Sequence, residues 1–380
     1  MTTSYDAVIL GAGIVGAACA LECARAGMRV AIVGRDTIGS GATAAGMGHI
    51  VVMDDSPAQL ALTGYSCSLW SSLAPELPAS VEYSACGTIW VASDEEEMTE
   101  VYRKLACYTA QGIKAEALDS AALAEAEPNL VRPLAGGLLV TGDAVLYPPC
   151  AAAYLVSQAQ LLGAALLLGH TATGAAHGQV HLEDGTVLHT ERIVNATGSL
   201  ASQLTPGLQI KPRKGHLIIT DRYPGYLHHQ LVELGYLKSA HSSIGDSVAF
   251  NVQPRKTGQL LIGSSRQFGS PSASGSKDSR VDHKIVAAMI ERAALYMPGI
   301  ASLSALRIWS GFRAATPDKL PLIGPTEDPT VFLATGHEGL GITTSLGTAR
   351  LLIDHLLSRP TAIPLAPYLP SRLPTEAIHA

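Results

Sequence analysis

The chain has 380 residues, 47% of them hydrophobic and 15% charged, and a net charge of −6. That length accommodates two domains with a large core, and the apolar content excludes wholesale disorder. The acidic balance without a basic run argues against a nucleic-acid partner, and the six cysteines (Cys19, Cys23, Cys67, Cys86, Cys107, Cys150) form no CxxC pair and no metal spacing.

The first forty residues organise the rest. Asp6 to Leu10 reads as a buried strand, Gly11-Ala12-Gly13-Ile14-Val15-Gly16 as a glycine turn, and Ala17 to Ala26 as a small-residue helix. Gly27 ends that helix, and Met28 to Val33 is a second strand. Strand, turn, helix and strand in this order make a dinucleotide fingerprint. The first glycine permits the tight turn, the second lets backbone approach a pyrophosphate, and the third brings helix and sheet close. The helix N-terminus offers free N–H groups to the phosphates. The acid expected on a ribose hydroxyl is missing, because Gly34 stands at that position, followed by Arg35 and Asp36. The ribose is then expected on backbone, Arg35 or Asp36, and Gly34→Glu is expected to tighten retention. A Gly-Arg pair also suits a 2′-phosphate, which leaves an NADPH reductase open.

Ile38 to His49 is almost entirely Gly, Ala, Ser and Thr, which suggests steric demand from a ligand; its alternative is a flexible loop. Pro57 to Leu73 looks helical, and Val81 to Ser93 alternates as a strand. Glu95-Glu96-Glu97 follows Asp94 as a solvated acidic helix start. Ala117 to Ala126 reads as a helix stopped by Pro128, and Gly136 to Val140 as a strand. After Tyr147-Pro148-Pro149 comes a helix, Cys150 to Leu162. Val180 to Leu182 and Val187 to His189 flank Glu183-Asp184-Gly185 as a hairpin. His170, His177, His181 and His189 lie around it without ligand spacing, so no metal site is expected.

Ile193 to Gly198 is a strand running into a small-residue turn, and Lys211 to His216 precede the strand Leu217 to Thr220. In the strand Val248 to Pro254, Asn251 and Gln253 project opposite Phe250 and Val252. If that face lines a pocket, an amide can bind a ring hydroxyl; otherwise it is a solvated strand face. Leu260 to Ser264 is another strand, Gly269 to Ser276 a loop or lid, and Asp282 to Tyr296 an amphipathic helix with Ile285, Met289 and Ala293 on one face. His49 and His216 sit beside glycine loops, either as pocket residues or as ordinary loop histidines. Val331 to Ala334 is a strand, Thr335 to Gly341 a loop, and Ile342 to Leu357 a helix. This recurrence implies an α/β cofactor domain in three pieces, 1–80, 143–207 and 306–380. A β-rich substrate domain, 81–142 and 208–305, interrupts it. With five residues before the first strand and no apolar run near ~20 residues, the cytoplasm is the expected location. Peripheral contact with the inner membrane stays open.

Together these stretches resemble the D-amino-acid oxidase-like (DAO) family of FAD enzymes. The residues that carry the resemblance are Gly11 to Gly16, Gly41 to Met47, Asn195-Ala196-Thr197-Gly198, Gly311-Phe312-Arg313 through Leu320-Pro321-Leu322-Ile323-Gly324, and Gly336 to Gly341. Thr43 to Met47 is similar to glycine oxidases. Ala44 to His49, with Gln253-Pro254-Arg255 and Gly263-Ser264-Ser265-Arg266, is similar to the FAD subunit of bacterial D-hydroxyproline dehydrogenases. The resemblance implies a Rossmann-like, glutathione-reductase-like FAD-binding domain with an inserted antiparallel α+β substrate domain. It places FAD, held non-covalently, on Gly11, Ala12, Gly13, Ile14, Val15, Gly16, Gly34, Arg35 and Asp36. It adds Thr43, Ala44, Ala45, Gly46, Met47, Gly48, Thr173, Ala196, Thr197, Gly198 and Gly311. Gly336, His337, Glu338, Gly339, Leu340, Gly341, Ile342 and Thr343 complete the set.

Arg313 matches the family's carboxylate-binding arginine and is the expected catalytic and substrate-binding residue; its alternative is a structural ion pair. A planar guanidinium suits a carboxylate because it pairs bidentately. Flavin oxidation of an amino acid needs that carboxylate fixed and the α-hydrogen held over N5. The helix beginning near Leu340 to Thr343 would present its positive end to the reduced ring. Hydride transfer from a neutral amine needs no side-chain base. The implied activity is oxidation of a D-amino or cyclic secondary amino acid, D-hydroxyproline being favoured and glycine or sarcosine the alternative. The rival is a non-catalytic flavin subunit. Electron-accepting iron–sulfur or flavin partner subunits are compatible, since the chain lacks cysteine spacing for its own cluster.

Overall fold

The computed structural model describes residues 4–235, 247–267 and 279–373. The N-terminal segment folds as β1 (Ser4–Leu10), α1 (Ile14–Arg25), β2 (Val30–Gly34), the short β3 (His49–Ile50) and α2 (Pro57–Leu73). Then come β4 (Thr88–Ala92), α3 (Glu95–Ala110), β5 (Ala115–Asp119), α4 (Ser120–Ala126) and β6 (Gly136–Val140). β7 (Ala144–Val145) pairs with β3, and α5 (Pro148–Leu161), β8 (Ala165–Leu168), β9 (Ala172–Ala176), β10 (Gln179–Leu182) and β11 (Val187–Asn195) follow. A one-turn helix α6 (Ala201–Leu204) leads to β12 (Lys211–Arg222), β13 (Gln230–Glu233), β14 (Ser247–Pro254), β15 (Gln259–Arg266), α7 (His283–Tyr296) and β16 (Ala305–Ala315). The last elements are β17 (Leu322–Pro325), β18 (Val331–Thr335), β19 (His337–Glu338) and α8 (Gly341–Leu356).

The strands form two large sheets. The first has the order β17-β18-β11-β1-β2-β8, with β10 and β9 continuing from β11. β1 pairs in parallel with β2 and β11, as crossover helices require. Helix α1 packs between the sheet, α5 and α8, and its buried Ala17, Ala18, Cys19, Ala20, Cys23 and Ala24 allow that close approach. Burial pushes both thiols up, Cys23 to about 12, so they act as small apolar residues. Val180 and Leu182 of the hairpin cover the opposite face over Val8, Leu10 and Val33. With both faces covered, Ala7 to Leu10 of β1 and Val30 to Val33 of β2 read as unbroken apolar runs.

The second sheet has nine strands in the order β19-β16-β12-β15-β14-β13-β4-β6-β5. α7 seals part of one face through Val286, Met289 and Ala293. β16 belongs to this sheet as far as Ala315, so the boundary expected at 305/306 moves to the turn after that strand. The expected helix at Ala117 to Ala126 is two elements. Residues 115–119 pair with β6, and Asp119 then caps α4 by accepting the Ala122 N–H. Asp94 likewise caps α3, but its acidic start is not wholly solvated: Glu97 is buried and accepts the Ser93 N–H. β4 is buried throughout, with Ile89 and Val91 in one cluster and Trp90 and Ala92 in another. The loop or lid at Gly269 to Ser276 lies outside the described residues.

Candidate functional site

A cavity of about 570 Å³ runs from the loops at the end of the first sheet to one face of the second. At its first end the glycine turn closes on neighbouring backbone. Gly11 has φ +110°, and a Cβ there would stand 2.6 Å from the Ala196 carbonyl oxygen. A Cβ on Gly16 would stand 1.9 Å from the Gly11 oxygen, so Gly16 works in helix–strand packing and does not line the cavity. Gly13 is the N-cap of α1 without a side-chain bond, and the Ile14 N–H donates to Thr43 Oγ1 at 3.0 Å. Gly34, Arg35 and Asp36 stand at the rim, the last two ion-paired at 3.0 Å and both exposed. A Cβ on Gly34 would meet Leu168 Cδ2 at 2.9 Å and Ala12 Cβ at 3.0 Å. Leu168 is exposed and its Cδ2 can rotate away, so Gly34→Glu asks for a small local adjustment at Ala12 and remains the variant that tests how the ribose is held.

Along the middle, Thr43, Ala45, Gly46 and Met47 face Ala196 to Gly198, Gly311 and His337 to Ile342. Missing side chains let these loops meet: a Cβ on Gly311 would stand 2.3 Å from Ala45 Cβ, and one on Gly46 2.6 Å from Ile342 Cδ1. Helix α8, like α1, has no side-chain cap, so two helix N-termini open on the same cavity. Several expected cofactor residues support this wall from behind. Ala44 is exposed, while Gly48 at φ +103° and Gly336 at φ +79° shape turns. Thr343 Oγ1 donates to the His49 carbonyl at 3.0 Å. Thr173 points away, its hydroxyl on the His181 carbonyl; His170, Thr171 and Ala172 line the cavity instead.

At the far end stands Arg313, walled in by protein and open to the cavity. Its guanidinium lies across Gly215, where a Cβ would be 2.5 Å from Nη1, and Nη1–H donates to the Ser265 carbonyl at 2.9 Å. Burial pulls its pKa below the usual range; Glu338 opposes that and Arg213 adds to it. Glu338 itself is ion-paired with Arg213 at 2.9 Å. His216 lines the cavity with both ring nitrogens engaged, Nδ1 with Ser265 Oγ at 3.1 Å and Nε2 accepting the Asp282 N–H at 3.1 Å. His49 also lines it, pushed down to about 4 chiefly by burial, with Nε2 3.3 Å from the Gly339 carbonyl. Burial pushes His337 down to about 3, and Nε2 contacts Thr348 Oγ1 at 3.0 Å. Both imidazoles are neutral at neutral pH.

Asn251 lines the cavity, but Gln253 does not: it is buried and donates Nε2–H to the Met47 carbonyl at 2.9 Å, bracing the small-residue loop. Sequence reasoning missed Trp90, Gln230 and Val232 as cavity residues, and it named Arg266 only as part of the resemblance without assigning it to the site. Burial and the Arg313 charge push Arg266 down to about 10. Alternation in β4 put Trp90 on one face, but that this face joins Val232 of β13 and Asn251 of β14 is set by strand pairing. Below them Lys104, fully buried, pairs with Asp54 and lies 4.8 Å from the Trp90 ring centroid.

Asp143 anchors the wall from beneath, accepting the Val52 N–H at 3.1 Å. Burial pushes its carboxyl from 3.8 up to about 7. The unfolded chain releases this proton near pH 4 and the folded chain near 7, so stability falls with rising pH across that window and levels off above it. Asp143→Asn is expected to remove that loss, at most roughly 4 kcal/mol. Urea unfolding of both proteins at pH 5 and pH 8 measures it, and parallel pH slopes would contradict the assignment.

The glycine-lined loops with two helix N-termini and the Arg313 guanidinium share one cavity, an arrangement suited to a dinucleotide beside a small anion. The chain belongs to the FAD dependent oxidoreductase (DAO) family, whose sequence profile matches residues 6–355. Glycine oxidase of Geobacillus kaustophilus (strain HTA426) is 31% identical over 385 residues, covering 97% of each chain. The crystal structure of glycine oxidase from Geobacillus kaustophilus gives a TM-score of 0.85 at 29% identity, covering 98% of this chain and 100% of that one. Hydrogen cyanide synthase subunit HcnC of Pseudomonas aeruginosa is 26% identical, covering 99% of this chain and 98% of that protein. The protein is thus an FAD-dependent oxidoreductase for amino-acid or amine C–N bonds, and the cradle fits that cofactor. Gly11 leaves no room for a side chain, and two uncapped helix N-termini suit its phosphates and ring. Among the described residues, no helix is long and apolar enough to cross a membrane, and no His/Cys/Asp/Glu cluster could hold a metal ion.

Proposed function

We propose that the protein oxidises a D-amino or cyclic secondary amino acid to its imino acid, with D-hydroxyproline the favoured substrate. The observation that carries this reading is Arg313, buried across Gly215 at the end of the cavity away from the glycine turn. Its fork binds the substrate carboxylate and fixes the α-carbon. Bound FAD supplies the two-electron acceptor. The α-C–H leaves with its electron pair, the amine proton goes to solvent, and CH–NH becomes C=N. Neutral His49 and His337 add no competing cation, and the N-terminus of α8 favours negative charge nearby. The glycine turn, Thr43 to Met47 and the loop before α8 would hold FAD.

Oxidation of glycine or sarcosine is the second reading, supported by the similarity to glycine oxidase. The similarity to HcnC, a synthase subunit by name, supports an electron-accepting partner subunit. Anaerobic mixing of holoprotein with D-hydroxyproline, D-proline, glycine and sarcosine tests the choice. D-Hydroxyproline is expected to bleach the flavin fastest. Faster bleaching by glycine transfers the assignment to the second reading, and no bleaching by any amino acid removes the catalytic role. Reoxidation in air then separates an oxidase from a dehydrogenase.

A further inference from the structure

Three neighbouring strands of the second sheet present one row of side chains to the cavity. Val232 of β13 lies opposite Trp90 of β4 on one side and Asn251 of β14 on the other. Gln230, two residues before Val232, shares that face. All four line the cavity. Trp90 Nε1, Gln230 Oε1 and Asn251 Oδ1 are buried atoms without a hydrogen-bond partner. Trp90 and Gln230 are each only 2% exposed. Leaving a buried donor and two acceptors unpaired costs free energy at each atom. Such a set is retained where a ligand completes it. Lys104, stacked on the indole, draws electron density from the ring and strengthens the Nε1–H as a donor.

The sheet register fixes how far this row lies from the carboxylate clamp. The Arg313 guanidinium reaches across β12 to the Ser265 carbonyl on β15. Asn251 pairs with Gly263, two residues before Ser265 on that strand. One strand spacing and two residues give roughly 8 Å between the Ser265 and Asn251 backbones. Both side chains point into the space, so an amino-acid-sized molecule bridges the two points. Val232 supplies an apolar floor between the polar atoms.

We propose that Trp90, Gln230 and Asn251 form a substrate side-chain subsite for a neutral group that both donates and accepts hydrogen bonds, a hydroxyl or a carboxamide. Trp90 Nε1–H donates to the oxygen of that group; the two N–H bonds of a carboxamide reach both the Gln230 and the Asn251 carbonyl oxygens, and the one O–H of a hydroxyl reaches one of them. The inference rests on amino-acid oxidation at Arg313 and selects within it. Glycine leaves all three atoms unpaired, a carboxamide side chain satisfies all three, and a ring hydroxyl accepts from Trp90 and donates its one O–H to one of the two carbonyl oxygens.

Anaerobic flavin reduction with matched pairs tests the subsite: cis-4-hydroxy-D-proline against D-proline, and D-asparagine against D-leucine. The polar member of at least one pair is expected to be preferred by tenfold or more in kcat/KM, and the better pair identifies hydroxyl or carboxamide. Trp90→Phe and Asn251→Leu, each checked for full flavin content, should each reduce that preference by roughly three- to tenfold. The apolar partner loses less. Equal rates within both pairs, or variants that slow both members alike, overturn the subsite while leaving oxidation at Arg313 intact. Absence of bleaching by all four compounds and by glycine overturns the oxidation reading and the subsite together.

Discussion

Arg313→Ala is expected to lower kcat/KM by roughly 10²- to 10³-fold while the purified protein stays yellow. Truncating one partner of a buried hydrogen-bonded charge pair costs ~2–5 kcal/mol, which sets that range. The cofactor is expected to remain because its cradle is built from the glycine turn, the small-residue loop and the loop before α8. Stability is expected to change little. Glu338 keeps its ion pair with Arg213, and removing Arg313 relieves the burial of a second cation near Arg266. Arg313→Lys should recover part of the rate, since an ammonium keeps the charge and loses the planar fork. Flavin absorbance, thermal unfolding and anaerobic reduction with the preferred substrate separate these effects. Unchanged turnover in Arg313→Ala would remove the carboxylate clamp, and colourless protein would assign Arg313 to the fold.

The local parts of this architecture were legible because they obey local physics. The strand–turn–helix–strand start, the hairpin around Glu183-Asp184-Gly185 and the small-residue loop needed only glycine geometry and periodicity. What escaped depends on sheet pairing. β4 and β13 pair in parallel although more than a hundred residues separate them. No property of Thr88-Ile89-Trp90 alone says that Trp90 will meet Val232 and then Asn251. The same cause explains Gln253, which shares the face of Asn251 yet lies under Met47. Its role depends on where a distant loop crosses the strand. The surroundings of Gly34 are set by Leu168 of β8 and by Ala12, and no local count along the second strand shows the first of these. Arg313 was singled out through the family resemblance of Gly311-Phe312-Arg313, a match that needs only a contiguous stretch. That its guanidinium also needs Gly215 on the adjacent strand is a tertiary fact.

Gly16→Ala should be the most damaging single-methyl change in the glycine turn. The added Cβ would stand 1.9 Å from the Gly11 oxygen and 3.0 Å from its carbonyl carbon, and neither backbone atom belongs to a side chain that can rotate away. Relief requires α1 to move off β1. That movement breaks the packing of the helix against Ala196 and shifts the N–H groups that the helix presents to the cavity. Overpacking a well-filled core costs ~1–3 kcal/mol, and a clash with backbone belongs at the upper end. FAD affinity is expected to fall by roughly 10²-fold or more. Gly13→Ala provides the graded comparison, because its Cβ would meet Thr43 Oγ1 at a tolerable 3.2 Å. It should fold normally and weaken FAD only by crowding the cradle. Gly27→Ala controls for backbone strain alone, with φ +81° and open space around the added carbon. It should keep its flavin and lose about 1 kcal/mol of stability. Flavin-to-protein absorbance ratios and FAD titration of deflavinated protein rank the three variants. If Gly16→Ala retains FAD as well as Gly27→Ala does, contact between helix and glycine turn is not what shapes the cradle.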